Sequence, residues 1–284
     1  MKPAPFEYFA PATVGEAAAL LHDLDDAKVL AGGQSLVPAM NFRLARPAAL
    51  VDINRVAGLD TTAVESGSLT IGALVRHRSL EDPVIDGPLG ALLAIAARYI
   101  GHLPIRVRGT FAGSLAHADP ASEWCVIART LDAEMTASSV DGERLIAAAD
   151  FFQTIFTTDL RSDELLTHVR IPLLDTTHRV GFSEFSRRAG DFALLMAAVV
   201  IRVDGDTITE ARIGIGGASD RPLRATEAEM ELVGRTVDPR HCDAAAQIAA
   251  ASIEPLADIH ASAEYRRDLV RAMTRRALGQ ALTP

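Results

Sequence analysis

Several residue types that define whole classes of protein are scarce in this 284-residue sequence. The two cysteines, Cys125 and Cys242, exclude a disulfide scaffold, are too few to hold an iron–sulfur cluster, and fit a reducing compartment. Aromatic residues make up only 5% of the chain, so we expect no stacking platform for single-stranded nucleic acid. The net charge of −9 argues further against a nucleic-acid partner, which requires a basic surface.

Long hydrophobic segments are also missing. The longest apolar run, FALLMAAVVI at residues 192–201, is too short to cross a bilayer as a helix and predicts a buried strand. The N-terminal residues include Glu7 and several prolines, and contain no apolar stretch of signal-peptide length. We therefore expect a protein without a transmembrane segment that works in the cytoplasm.

The patterns that are present alternate between helix and strand. Thr13 and Glu16 stand at the spacing of a capping box, which predicts the start of a helix. The segment AKVLAGG at residues 27–33 predicts a short strand that ends on a glycine turn. Residues 49–54 and 68–75 predict two further strands, so the first part of the chain is expected to form α/β layers.

The pattern changes near residues 174–177, and we place a domain boundary there. Three strands are predicted next, with Asp204 and Gly205 marking the hairpin turn between two of them. From Leu223 onward the pattern is helical in three stretches, of which the last is amphipathic and rich in arginine. The arginines are most simply explained as a solvated helix face.

Two loops could bind an anion. Residues 31–36, AGGQSL, and residues 109–120, GTFAGSLAHADP, each combine glycine with a following serine, but the first lacks the spacing of a Rossmann fingerprint or a P-loop. A glycine pair at a strand end is more often only a turn. If the two loops face each other, however, their backbone amides could hold a pyrophosphate without a lysine.

A third segment mixes residues that could act as metal ligands. Asp119 and Pro120 stand where an N-cap and a first helical residue belong, so a helix is predicted to begin there after a loop of small residues. The cap accounts for Asp119, and a carboxylate in the first turn suits Glu123, so that His117 is left without metal-ligand partners. We predict no metal site. We also assign no catalytic residue, because no nucleophile pattern accompanies the histidines.

Seven segments in order resemble a known family. They are AGGQSLVPAMNFRL, VDINRV, IGALVRH, GTFAGSLAHADPASE, SRRAGDFAL, GGASDRPLRATEAE and ASAEYRRDLVRAMTRRAL. Over nearly the whole chain the sequence is similar to the FAD-binding medium subunit of molybdenum hydroxylases, the group that includes aerobic carbon monoxide dehydrogenase and xanthine dehydrogenase.

The resemblance implies an α+β fold in two domains. Residues 1–175 would form the FAD-binding domain, with two α/β subdomains of the PCMH type at about 1–56 and 57–175. Residues 176–284 would form a C-terminal domain like that of the carbon monoxide dehydrogenase flavoprotein, with a three-stranded sheet and helices.

The resemblance also implies a set of cofactor-binding residues. The FAD pyrophosphate would lie between the two loops, formed by Ala31, Gly32, Gly33, Gln34, Ser35 and Leu36 on one side and by Thr110, Phe111, Ala112, Gly113 and Ser114 on the other. Glu123 corresponds to an acidic position that the family uses toward the adenosine part of FAD. Leu166, Asp191 and Phe192 correspond to positions near the flavin or its ribityl chain.

Three positions depart from the family pattern. Ala112 stands where the second loop usually has glycine, and Val107 stands where the family often has asparagine. An alanine at position 112 forbids little unless φ is positive there. Ser183 stands where the xanthine dehydrogenase branch has a lysine near the flavin, which favours an electron acceptor other than NAD.

The implied function is electron transfer. The chain would carry FAD and pass electrons from iron–sulfur clusters to an external acceptor. A large molybdopterin subunit and a small subunit with [2Fe-2S] clusters would be its partners, in a dimer of heterotrimers. Two alternatives stay open: a stand-alone FAD-dependent oxidase and an assembly module that has lost the cofactor. Substrate selection would lie in the molybdenum subunit, so this chain does not name the substrate.

Overall fold

The computed structural model describes residues 1–283. The strands are β1 (Glu7–Phe9), β2 (Ala27–Leu30), β3 (Ala49–Asp52), β4 (Thr62–Glu65), β5 (Ser68–Gly72), β6 (Glu134–Ser139), β7 (Gly142–Ala147), β8 (Phe152–Thr154), β9 (Thr157–Thr158), β10 (Leu165–Pro172), β11 (His178–Phe185), β12 (Leu195–Asp204), β13 (Thr207–Gly216) and β14 (Leu223–Arg224). The helices are α1 (Val14–Asp23), α2 (Leu36–Asn41), α3 (Pro88–Tyr99), α4 (Leu103–Arg108), α5 (Phe111–His117), α6 (Glu123–Thr130), α7 (Ala148–Phe151), α8 (Thr226–Leu232), α9 (Pro239–Ser252) and α10 (Ala263–Leu282). No helix within this part of the chain is both long and apolar enough to cross a membrane.

The N-terminal sheet is parallel, with the strand order β1-β3-β2. Helix α1 packs beside it and begins as predicted: the Thr13 hydroxyl accepts from the Glu16 amide at 3.1 Å, and the Glu16 carboxylate accepts from the Thr13 amide at 3.2 Å. This capping box satisfies amides that the first helical turn leaves free. Because β2 and β3 run parallel, the loops that follow them emerge at the same edge of the sheet.

The capping box gives a first testable prediction. We expect Thr13→Ala to lower the free energy of unfolding by about 1 kcal/mol, because the first turn of α1 loses its side-chain cap. Urea denaturation measures this change. Thr226→Ala, at the exposed first position of α8, is the matched control and should change the free energy of unfolding by less. An equal loss in both variants would contradict the role of the cap.

The second sheet is antiparallel, with the strand order β4-β5-β10-β6-β7. Together with α3, α5 and α6 it forms the larger hydrophobic core of the protein, in which the bulkiest fully buried side chains are Trp124, Phe111, Phe151 and Phe182. The apolar alternation of β10 accounts for its central place, since one face of the strand is buried throughout.

The third sheet has three long strands and a two-residue fourth, in the order β11-β12-β13-β14. The hairpin predicted at Asp204 and Gly205 joins β12 to β13, and φ of Gly205 is +56°. Both faces of this sheet are covered. On β12, Leu195 and Ala197 pack into a second core with α8, α9 and α10, whereas the intervening Met196 belongs to the core of the N-terminal region. The three predicted C-terminal helices are α8, α9 and α10.

Four local predictions differ from the structure. The small-residue loop is helical, because Thr110 caps α5 directly. The next helix, α6, begins at Glu123, three residues later than the Asp119 pattern predicts. Asp119 instead accepts from the Ala121 amide at 2.9 Å within a turn. The predicted strand at residues 192–201 lies slightly later, as β12, and one of the C-terminal arginines, Arg266, is buried rather than solvated.

Candidate cofactor site

The first glycine loop follows β2 and leads into α2. The carbonyl groups of both glycines are occupied: the Gly32 oxygen accepts from Gln34 Nε2 at 3.0 Å, and the Gly33 oxygen accepts from the Val37 amide at 3.1 Å. Within residues 1–283, the amides of Gly33, Gln34 and Ser35 donate to no acceptor. A loop with bound carbonyls and free amides is suited to hold an anion.

The second loop is the first turn of α5. Thr110 Oγ1 accepts from the Gly113 amide at 3.1 Å, and the Phe111 amide donates to the Val75 oxygen at 2.9 Å. The side chains of Phe111 and Ala112 are buried in the core, so a ligand at this loop would meet their backbone. Ala112 lies in the helix and has no positive φ, so the alanine found in place of the family's glycine introduces no backbone strain.

The two loops touch each other. A Cβ atom on Gly32 would lie 2.7 Å from the Cα atom of Gly109 and would overlap the carbonyl oxygen of Arg108. Only glycine fits at this contact. The first loop, together with Asp52, Asn54 and Arg108, lines a cleft of about 360 Å³. The structure therefore places the loops side by side, with an open cleft at the first loop.

Glu123 lies beside the second loop, because the residues that follow it pack there. The Trp124 ring is 4.9 Å from the Phe111 ring, and Cys125 Sγ is 3.6 Å from the Ser114 oxygen. Glu123 itself is only 8% exposed. Burial raises the pKa of its carboxyl group, and the neighbouring negative charge of Asp119 raises the pKa further.

Strand β11 presents alternate side chains to the two cores. Phe182 faces the N-terminal region, where its ring is 5.3 Å from the Tyr99 ring. Ser183 faces the opposite side, where its hydroxyl is 3.3 Å from Met273 Sδ of α10. The serine that stands at the family's lysine position therefore points into the helical layer in this chain.

Glu184, the next residue of β11, was not identified from the sequence. By the alternation of the strand it lies on the same face as Phe182. Its Oε2 atom is buried and has no hydrogen-bond partner within residues 1–283. Burial raises the pKa of Glu184, and the charge of Glu123 raises it further, so the two carboxyl groups lie close enough to influence each other. A glutamate at the strand position two residues after the inward-facing Phe182 was the available signal.

The three remaining predicted cofactor-binding residues lie outside the two glycine loops. Leu166 is buried in β10, next to an irregularity in the pairing with β6. Asp191 and Phe192 lie in the turn between β11 and β12, and the Phe192 side chain is 69% exposed. Gly190 in this turn packs so closely on the His102 ring that a Cβ atom would overlap it. Contacts of these three residues with a cofactor stay predictions.

The buried histidine of the site is held neutral. Burial lowers the pKa of His77 to about 3, and the charges of Arg76 and Arg106 lower it further. Its Nδ1 atom accepts from Trp124 Nε1 at 2.9 Å. His77 is therefore a structural partner of the second loop and unavailable as a base near neutral pH. The described residues contain no cluster of three or more potential metal ligands.

Comparison with known proteins identifies the class. Residues 4–174 match the family described as the FAD binding domain in molybdopterin dehydrogenase, and residues 181–281 match the CO dehydrogenase flavoprotein C-terminal domain. The chain therefore belongs to the family of FAD-binding flavoproteins of molybdopterin dehydrogenases. The free amides of the first loop and its glycine-only contact with the second fit the pyrophosphate of FAD.

Individual relatives match over the full length. The chain is 41% identical over 284 residues to the 6-hydroxypseudooxynicotine dehydrogenase complex subunit alpha of Paenarthrobacter nicotinovorans, covering 99% of this chain and 96% of that protein. It is 38% identical to the nicotine 6-hydroxylase medium subunit of the same organism, covering 99% of each. The solved structure of carbon monoxide dehydrogenase from Hydrogenophaga pseudoflava matches with a TM-score of 0.95 at 36% identity, covering 99% of this chain and 98% of that one.

Proposed function

We propose that this chain is the FAD-carrying electron-transfer subunit of a molybdenum hydroxylase complex. It takes electrons from iron–sulfur clusters on a partner subunit and passes them to an external acceptor. The observation that carries the proposal is the contact between the two glycine loops, in a chain that belongs throughout its length to this flavoprotein family. Bound FAD supplies the redox centre, and the protein supplies its position and electrostatic surroundings.

Each part of the site has a proposed role. The amides of Gly33, Gln34 and Ser35 bind the pyrophosphate, together with the backbone of the second loop. Glu123 binds the adenosine part, and the remaining predicted residues, Leu166, Asp191 and Phe192, surround the flavin end. No residue of this chain needs to act on the substrate of the complex.

The partners follow from what this chain lacks. Cys125 and Cys242 are both buried, and burial raises the pKa of each thiol, so neither is suited to bind a cluster. One related protein is named as a subunit of a dehydrogenase complex and another as the medium subunit of a hydroxylase. We propose a large molybdopterin subunit and a small [2Fe-2S] subunit as partners, in a dimer of heterotrimers in the cytoplasm. We likewise propose domains at 1–175 and 176–284.

The proposal is tested first by the cofactor. We expect the purified full-length chain to show flavin absorption bands, and heat release followed by mass spectrometry to identify FAD at about one per chain. When the chain is then mixed with its reduced small partner subunit, electron transfer to FAD should bleach those bands. A chain that stays colourless and takes up no FAD, alone and with its partners, would support the assembly-module alternative. Turnover of an organic substrate by the chain alone would support the oxidase alternative.

A further inference from the structure

A bridge of two side chains connects the glycine loops. Asn54, just after β3, donates from Nδ2 to the Ala31 oxygen at 2.8 Å and accepts from Arg76 Nη2 at 2.6 Å. Arg76 also donates from Nη1 to the Arg108 oxygen. The Asn54–Arg76 bridge therefore runs from the carbonyl that precedes Gly32 to the carbonyl that precedes Gly109.

The bridge is itself held in place. Asp52 Oδ1 accepts from the backbone N–H of Asn54 at 2.9 Å and from its side-chain Nδ2 at 2.6 Å. The Tyr8 hydroxyl donates to the other carboxylate oxygen, Asp52 Oδ2. Both hydrogens and the oxygen of the Asn54 side-chain amide are thereby engaged in hydrogen bonds. Burial lowers the pKa of Arg76, and the like charge of Arg108 lowers it further. Hydrogen bonds hold Arg76 beside Arg108 against this repulsion.

The bridge also orients an amide of the first loop. In a trans peptide the C=O and the following N–H point in opposite directions. Because Asn54 binds the Ala31 oxygen, the Gly32 N–H is turned away from the bridge. Gln34 has the same effect one residue later, since it binds the Gly32 oxygen and so turns the Gly33 N–H away from its own side chain.

We propose that Asn54 and Arg76 are positioning residues for FAD. They act through the backbone: they set the separation of the two loops and the direction of the Ala31–Gly32 peptide, which directly precedes the amides of Gly33, Gln34 and Ser35. This inference rests on the proposed function, because it assigns the loops to the pyrophosphate of FAD. Neither side chain needs to contact the cofactor.

The test is the dissociation constant of FAD, measured by flavin fluorescence with full-length protein stripped of FAD and titrated with FAD. We expect Arg76→Ala and Asn54→Ala each to weaken binding about tenfold or more, because the loops lose their connection. We expect the double variant to bind FAD no more than about threefold less tightly than the single variant of lower affinity, because both residues belong to one bridge. Arg76→Lys should recover little, because lysine lacks the planar fork that reaches two acceptors.

The matched control is Arg144→Ala. Arg144 on β7 makes comparable bonds to Glu164 and Asp159, away from the loops, and its loss should leave the dissociation constant unchanged. Full affinity in Arg76→Ala, a loss of thermal stability without a change in the dissociation constant, or independent losses in the double variant would each overturn the inference. Failure of the wild-type chain to bind FAD would instead overturn the proposed function.

Discussion

Replacing Gly32 with alanine should abolish the retention of FAD while leaving the fold intact. The added Cβ atom would meet the backbone of Arg108 and Gly109, and backbone atoms cannot rotate away as a side-chain end can. Those residues are also fixed from the other side, because the His77 amide donates to the Gly109 oxygen at 3.1 Å. The loops would have to separate, and we expect the affinity for FAD to fall about 100-fold.

The measurement is the FAD content of the purified variant, followed by titration with added FAD. Gly15→Ala is the matched control, because a Cβ atom on Gly15 in α1 meets nothing within 4 Å. That variant should keep its FAD and gain slightly in helix stability. An unchanged circular dichroism spectrum would show that the Gly32 variant is folded. Wild-type affinity in a folded Gly32→Ala protein would disprove the close-contact explanation of the site.

Replacing Glu184 with glutamine should stabilise the FAD-free protein above neutral pH. Burial and the charge of Glu123 raise the pKa of Glu184 from 4.5 to about 9 in the folded state. Between these values the folded protein binds a proton that the unfolded chain has already lost, so stability falls as the pH rises. Glutamine cannot ionise and removes this dependence. We expect a gain of about 1.4 kcal/mol for each pH unit above 4.5, which amounts to several kcal/mol at pH 8, and little change below pH 4.5.

Urea denaturation at several pH values measures the effect. The groups that face Glu184 are Glu123 at the start of α6 and, behind it, Asp119, so Glu123→Gln should shift the same pH dependence to lower pH. Glu65→Gln, on the exposed strand β4, is the control and should give a curve parallel to that of the wild type. A difference between Glu184→Gln and wild type that stays constant with pH would contradict the assignment.

Features set by neighbouring residues could be predicted from the sequence. The capping box of Thr13 and Glu16 needs only four consecutive residues, and the hairpin at Asp204 and Gly205 depends on the preference of glycine for positive φ. The helices after Leu223 are separated by short breaks that the composition marks clearly. The free amides of the first glycine loop belong to the same group, whereas the Phe111 and Gly113 amides of the second loop are bonded within the fold.

Features set by distant residues could not be predicted. The pattern at Asp119 and Pro120 fits a helix start, yet the Pro120 oxygen accepts from the Gly217 amide of the C-terminal region at 2.9 Å, and Ala118 adopts a φ of +51°. A long-range contact thus overrides the local preference. The same holds for the site: the Asn54–Arg76 bridge joins residues 22 positions apart, and no local pattern announces it.

The third sheet separates two hydrophobic cores and contributes side chains to both. Along β12, Leu195 and Ala197 serve the helical layer while Met196 and Ala198 serve the N-terminal region, so neither side can be removed without exposing an apolar surface to water. A boundary near residue 176 therefore divides the sequence into two regions, but these regions share β12 and pack as one folding unit. A change in side-chain volume on one face of β12 displaces the strand and so disturbs the packing on its other face. We therefore expect substitutions in the two regions that match separate families to depend on each other.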